Sequence, residues 1–313
     1  MTKKRISFLF VMILVISIFL NHSYADVLHG LVNEMQSNVV NMVGDGEQKD
    51  LQKDSKDKRI KTVNIESYQF VDRKQALVED ISYLDDFYIN INWSISREQG
   101  IEKLDLVIAT HPDADHIGGM DKVIKNFDID VFAMPDVSAK TNQYKQIQRE
   151  LKAKKMRATR LYQGDEVQID DDIDFEILSP VKGKKYDDTN EYSIVAKIVY
   201  KDTSFILMGD ATMENEVDII NNVPDIDIDV LKLGHHGSST SSSDYFITKT
   251  SPNIAIISCG KNNKYGHPHQ EVMRVLKKHG VTPYRTDEMG DIVITSDGKE
   301  IKYINGSCVP LFL

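Results

Sequence analysis

Thr110-His111-Pro112-Asp113-Ala114-Asp115-His116-Ile117-Gly118-Gly119 packs two imidazoles and two carboxylates into six residues, directly after the β-rich run Leu104 to Thr110. A strand end is rigid and the loop beyond it is free to curl, so several side chains can converge on one point. Imidazole and carboxylate together suit zinc, manganese or iron. The Asp-x-Asp spacing also opens calcium loops, but here the fifth and twelfth positions would be Ile117 and Ile124, where oxygen ligands are required. Gly118 and Gly119 let the backbone approach closely and begin the next helix.

Outward from this stretch, the histidines repeat the signal. Six of the nine fall in three tight clusters: His111 with His116, His235 with His236, and His267 with His269. Core histidines are usually single, so the bunching points to ligands. Asp210 follows the strand-like Ser204 to Met208; a carboxylate there bridges two cations or caps the next helix. His235 and His236 follow the strand Ile228 to Leu233. Adjacent side chains point in different directions, so one of the pair is the better ligand candidate. His267 and His269 precede a helix, where His269 could cap it or His267 could close the site. Three strand-end groups and a fourth loop describe a binuclear site, in which two cations activate water and hold the charge of a phosphoryl or acyl oxygen. Other nucleophile signals are lacking: the sequence has no Gly-x-Ser-x-Gly, no P-loop and no Gly-x-Gly-x-x-Gly.

The periodicity between these motifs predicts strands at Val131–Met134, Glu166–Ile169, Ile173–Leu178, Ser193–Tyr200, Asn253–Ser258 and Asp291–Thr295. It predicts helices at Met120–Phe127, Thr141–Lys155, Met213–Asn222 and Gln270–His279. Strands in a central block with helices interposed and trailing imply an α/β sandwich.

Taken in order, THPDADHIGG, LMGDAT, LKLGHHGSSTSS, NNKYGHPHQEV and TDEMGDIVITSDG resemble the ComEC-type branch of the metallo-β-lactamase superfamily over Ile101 to Ile304. The resemblance implies a four-layer αββα sandwich with the metal site at one edge of its two sheets. It implies His111, Asp113, Asp115 and His116 as first-motif ligands, Asp210 as a bridging carboxylate, and His235 or His236 as a later ligand. Asp115 would also orient the attacking water. We assign His235 to the metal set, His236 and His267 with Asp115 to catalysis, and Ser238, Asn190 and His269 to substrate contact. Asp113 stands where the superfamily usually has a second histidine, which shifts preference towards harder ions such as manganese. The amino-terminal strands are atypical: of the family's Asp-Val-Gly-Gln-(Gly or Ala)-Asp opening, only Asp72, Gln75 and Ala76 of Phe70–Val78 correspond, and no Asp-Gly-Gly turn follows before Arg97.

Residues 1–25 read as a secretory signal. Lys3, Lys4 and Arg5 precede the apolar run Ile6 to Leu20, and Ser23 and Ala25 supply a small-residue exit. A helix of that run would cover about 22 Å, short of a bilayer core of about 30 Å. An uncleaved anchor is the alternative, and either places the remainder outside the cytoplasm. Residues 26–62 read as a charged linker and residues 63–313 as the hydrolase domain, with 63–100 poorly matched. The 313-residue chain is 41% hydrophobic and 27% charged, an ordinary globular balance, with a net charge of −10 that disfavours a broad nucleic-acid surface. Cys259 and Cys308 are too few for a disulfide framework. The expected function is metal-dependent hydrolysis with two divalent ions (zinc or manganese), acting on a phosphodiester and, by the resemblance, on DNA. The alternatives are a small phosphate ester or a lactam or lactone, and a non-catalytic binding domain.

Overall fold

The computed structural model describes residues 103–290 and 292–305, together with the backbone of one strand, Phe10–Leu14. These belong to one of the chain's two compact units, Met1–Ile18 with Lys74–Leu313. The linker over 26–62, the Phe70–Val78 correspondence and Cys308 lie outside the described residues.

Six strands form the larger sheet: β4 (Ile173–Ser179), β5 (Val195–Tyr200), β6 (Thr203–Leu207), β7 (Val230–Lys232), β8 (Ile254–Ile257) and β9 (Thr282–Arg285), adjacent in that order. The β4–β5–β6 portion is an antiparallel meander, whereas β6 to β9 run parallel. Facing it are the parallel pair β2 (Lys103–Ile108) and β3 (Asp128–Ala133), and the antiparallel pair β10 (Ile292–Ser296) and β11 (Ile301–Asn305). Alternation along each strand sorts side chains to opposite faces. On β8, Ile256 enters the core between the sheets while Ala255 and Ile257 enter the core beneath the helices. The inter-sheet core also takes Leu106, Ile108, Phe175, Ile198, Phe205 and Ile294.

Helices cover both outer faces. Against the larger sheet lie α4 (Met213–Asn222), α5 (Asp244–Thr250) and α6 (Gln270–His279), burying Ile219, Phe246, Ile247, Val272 and Leu276. Against β2 and β3 lie α1 (Ala114–Ile117), α2 (Met120–Asn126) and α3 (Asn142–Ala153), burying Ile117, Ile124, Ile147 and Leu151. The short α7 (Thr286–Met289) follows β9. The result is the expected αββα sandwich, and each fully buried Ile, Leu or Phe contributes about 1.5–3 kcal/mol to it.

The bounds predicted for α4 and α6 are those observed. Glu166–Ile169 differs: it makes an isolated bridge from Glu166 to Glu176 and no strand, because the turn at Asp170 follows at once. The strand β1 (Phe10–Leu14) lies within the run read as a leader, and pairs antiparallel with β10 from Phe10 opposite Ser296 to Leu14 opposite Ile292. Phe, Val and Ile favour a strand wherever an open edge offers pairing, and removal of a leader would leave that edge of β10 unpaired. Among the described residues, no helix is long and apolar enough to cross a membrane.

Candidate metal centre

Because β6, β7 and β8 run parallel, their carboxyl ends share one edge of the sheet, and the segments beginning at Met208, Leu233 and Ser258 all leave from it. The first-motif loop is drawn to the same edge, where the Thr110 carbonyl accepts from the Ile194 amide. The His235 amide donates to the Gly209 carbonyl at 3.2 Å. Gly234 makes this approach possible, since a Cβ there would stand 2.5 Å from the Ala211 carbonyl oxygen. His235 and His236 both adopt left-handed backbone conformations (φ 47° and 57°). Such conformations cost on the order of 1 kcal/mol each outside glycine and persist where the surroundings enforce them. Here they turn both rings towards Asp210, although neighbouring residues ordinarily diverge.

Asp210 Oδ2 is the focus. Four imidazole Nε2 atoms surround it: His116 at 3.1 Å, His236 at 3.4 Å, His111 at 3.9 Å and His235 at 3.9 Å. Asp115 completes a tighter group of four with His116, Asp210 and His236, whose ligand atoms all lie within 4.8 Å of one another. Its Oδ2 is 3.5 Å from His236 Nε2 and 3.7 Å from His116 Nε2.

Hydrogen bonds behind the rings fix what they present. His236 Nδ1 lies 2.7 Å from the Ser258 carbonyl oxygen, which can only accept, so Nδ1 carries a proton and Nε2 of the neutral ring offers its lone pair. Thr240 Oγ1 donates to Ser238 Oγ and so accepts from His235 Nδ1 at 2.9 Å, which sets the same tautomer there. His116 Nε2 and His236 Nε2 stand only 3.1 Å apart. With the His236 lone pair presented there, either a proton on His116 Nε2 or a cation occupies the space between them.

Without a cation, the electrostatics place the positive charge on the imidazoles themselves. Burial opposes an ionised Asp210, yet the His116 and His236 charges hold its carboxyl well below the usual range. Burial likewise opposes a charged His236, but Asp210 and the hydrogen bond with Asp115 push it up to about 10. Burial also acts against ionisation of Asp115, and the His236 hydrogen bond and His116 charge overcome it to lower its pKa. Asp113 goes the other way, raised by burial. His267, desolvated and close to His236, His269 and His235, is lowered to about 4.

A metal fits this donor set. Asp210 Oδ1 is buried with no hydrogen-bond partner, and an acceptor left so in a cluster of converging nitrogens is a natural cation contact. Asp210 does not cap α4; Thr212 does, within a capping box completed by Asn215.

The other sequence candidates separate. His236 belongs to the tight group, while His235 and His111 stand at its edge. Asp113 Oδ1 accepts from Thr189 Oγ1 at 2.8 Å. His267 is half-buried, stacked between Tyr265 and His236 with ring centroids 5.6 and 6.3 Å away. His269 occupies the cap position of α6 without a capping bond. Its Nδ1 accepts from the Ser239 amide, so Nε2 donates to the Tyr265 carbonyl and braces the loop. Ser238 is buried and its hydroxyl accepts from Thr240, while Asn190 Oδ1 is buried without a hydrogen-bond partner. Two orienting groups went unread in the sequence, Thr240 and the Ser258 carbonyl, while Ser193, which with Asn190 occupies the stretch lacking a histidine ligand, accepts from the Asp210 amide at 3.1 Å. A backbone carbonyl has no sequence signal, and the Thr240 hydroxyl sits among many in a serine-rich stretch.

Comparison with known proteins adds three relatives and a family. Residues 85–261, which include all four residues of the tight group, match the family model described as the metallo-beta-lactamase superfamily. ComE operon protein 3 of Bacillus subtilis is 36% identical over 194 residues, covering 62% of this chain and 25% of that protein. Competence protein ComA of Neisseria gonorrhoeae is 32% identical, covering 61% of this chain and 25% of that protein. Recombination protein 2 of Haemophilus influenzae is 31% identical, covering 60% and 22%. The matched region thus spans about a quarter of the length of these curated relatives.

Proposed function

The chain belongs to the metallo-beta-lactamase superfamily, and from that premise we propose that it is an extracytoplasmic metal-dependent phosphodiesterase that acts on DNA. The observation that carries this reading is the convergence of four imidazole Nε2 atoms on one buried carboxylate oxygen, Asp210 Oδ2. We assign His111, Asp113, Asp115, His116, Asp210, His235 and His236 to hold two divalent ions, zinc or manganese. Such ions supply Lewis acidity and a more acidic water.

Around them the chain's own groups have distinct work. Asp210 offers two oxygens, one facing the imidazoles and one free of hydrogen bonds, as a bridging carboxylate requires. Asp115, with about a third of its side chain exposed (37%), is the acid of the tight group that solvent reaches, so it orients the attacking water and takes its proton. The Ser258 carbonyl and Thr240 hold the rings of His236 and His235 in register. At neutral pH His267 is an uncharged imidazole beside the cluster, whose ring N–H can donate to a phosphoryl oxygen. DNA as substrate draws on relatives named for competence and recombination. The apolar run after Lys3, Lys4 and Arg5 supports an extracytoplasmic location.

Hydrolysis of bis-p-nitrophenyl phosphate and of DNA, with and without chelator, tests this. The expected result is turnover of both, abolished by chelator and restored by zinc or manganese. A folded, metal-loaded chain that opens a lactam or lactone but spares both phosphodiesters would overturn it.

A further inference from the structure

A cavity of about 570 Å³ has His267 in its wall, the ring that stands beside His235 and His236. One side is a single face of α6: Gln270, Arg274 and Lys277 follow at spacings of four and three and point the same way. Arg285 lies opposite but is committed to Asp287 at 2.6 Å and Glu288 at 2.8 Å. The other two cations are available. Arg274 shares an exposed pair with Glu271 at 2.9 Å, which competes weakly with a phosphate, and Lys277 has no acidic partner among the described residues. In a chain of net charge −10, a cationic cavity beside the candidate centre is a local reversal of sign.

Next to it stands Tyr265, 65% exposed. Its ring stacks on His267 (interplanar angle 20°), and the Lys264 ammonium lies 4.9 Å from its centroid. His267 in turn lies 5.8 Å from His235 and 6.3 Å from His236, ring to ring. A cationic groove with an exposed aromatic platform is how proteins grip single-stranded nucleic acid without reading its sequence: the bases stack and the backbone meets cations.

We propose that this cavity and Tyr265 form a subsite for the nucleotide flanking the scissile phosphodiester of a single strand, with Arg274 and Lys277 meeting the flanking phosphate and Tyr265 the base. The inference rests on the phosphodiesterase reading above.

The test compares the full chain with Arg274→Gln/Lys277→Gln, Tyr265→Ala and Tyr265→Phe. Binding of a fluorescent oligothymidylate is followed by anisotropy in chelator, so that no turnover is needed. The double variant should bind about tenfold more weakly, and its plot of log affinity against log salt should be shallower by about 1.4, the value for two lost phosphate contacts on a single strand. Tyr265→Ala should weaken binding on the order of tenfold, whereas Tyr265→Phe keeps it. In turnover, the double variant should lower the ratio of kcat/KM for the oligonucleotide to that for bis-p-nitrophenyl phosphate about tenfold. Variants that bind with unchanged affinity and salt slope overturn the subsite, even if the wild type cleaves both substrates and the phosphodiesterase reading stands. If the wild type cleaves neither, that reading falls, and the binding measurement still decides the subsite.

Discussion

Asp210 and Glu216 lie six residues apart and are both almost shielded from solvent, at 3% and 1% exposure, yet their carboxyl pKa values are shifted in opposite directions. Burial pushes both carboxyls up. At Asp210 the surrounding imidazoles reverse this and keep it ionised. At Glu216 no cation among the described residues intervenes; the Ser242 and Ser243 amides donate to its oxygens, but burial wins and raises it to about 7. Burial therefore does not decide what a buried acid does; the charge of its neighbours does. One region is arranged to gather positive charge and the other to clamp a turn. The two are linked, because Glu216 pins Ser242 and Ser243 just beyond Thr240, which orients His235.

The comparison breaks most severely at Asp210. Asp210→Ala should lower metal-dependent phosphodiester turnover on the order of a thousandfold or more, since it removes the oxygen on which the imidazoles converge. Undiminished turnover in that variant would remove Asp210 from the site.

Glu216 should instead reveal itself in stability against pH. In the fold it keeps its proton up to about 7, whereas the unfolded chain releases it near 4.5. Between these values the folded state binds more protons, so this contribution is complete below about pH 4.5 and is lost as pH rises through about 7. Its size is on the order of 3 kcal/mol. Denaturant unfolding from pH 5 to 7.5 should show Glu216→Gln with a flatter profile than the wild type; parallel profiles would mean that Glu216 is ionised throughout.

At a fixed pH of 6, Glu216→Ala should cost about 2 kcal/mol, because two amides lose their acceptor. Bound metal measured on the same folded sample should stay near the wild-type level. The smallest effect belongs to Lys184, whose pairs with Asp218 at 2.7 Å and Glu214 at 2.9 Å are partly solvated. Lys184→Ala should cost less than about 1 kcal/mol, and the same unfolding assay would register a larger loss.

The sequence carried the Asp210 side of this comparison better than the Glu216 side. Strand-end histidines and carboxylates announce themselves by type and spacing, and β6 to β8 bring them to one edge as the family resemblance implied. Glu216 looks like any acid in the first turns of an amphipathic helix; nothing local says that it is buried beneath Ser242 and Ser243. The strand β9 was missed because Pro283 and its half-exposed neighbours break the apolar alternation, and α5 because its serine-rich approach reads as a loop. The turn of both His235 and His236 towards Asp210 also escaped, since it depends on two consecutive left-handed residues that propensity disfavours.

The most direct measurement is elemental analysis of the purified, folded full chain beside Asp210→Ala. The expected result is close to two equivalents of zinc or manganese in the wild type and a marked loss in the variant. A folded wild type that takes up no divalent metal, even after incubation with zinc and manganese, would contradict a metal centre built around Asp210.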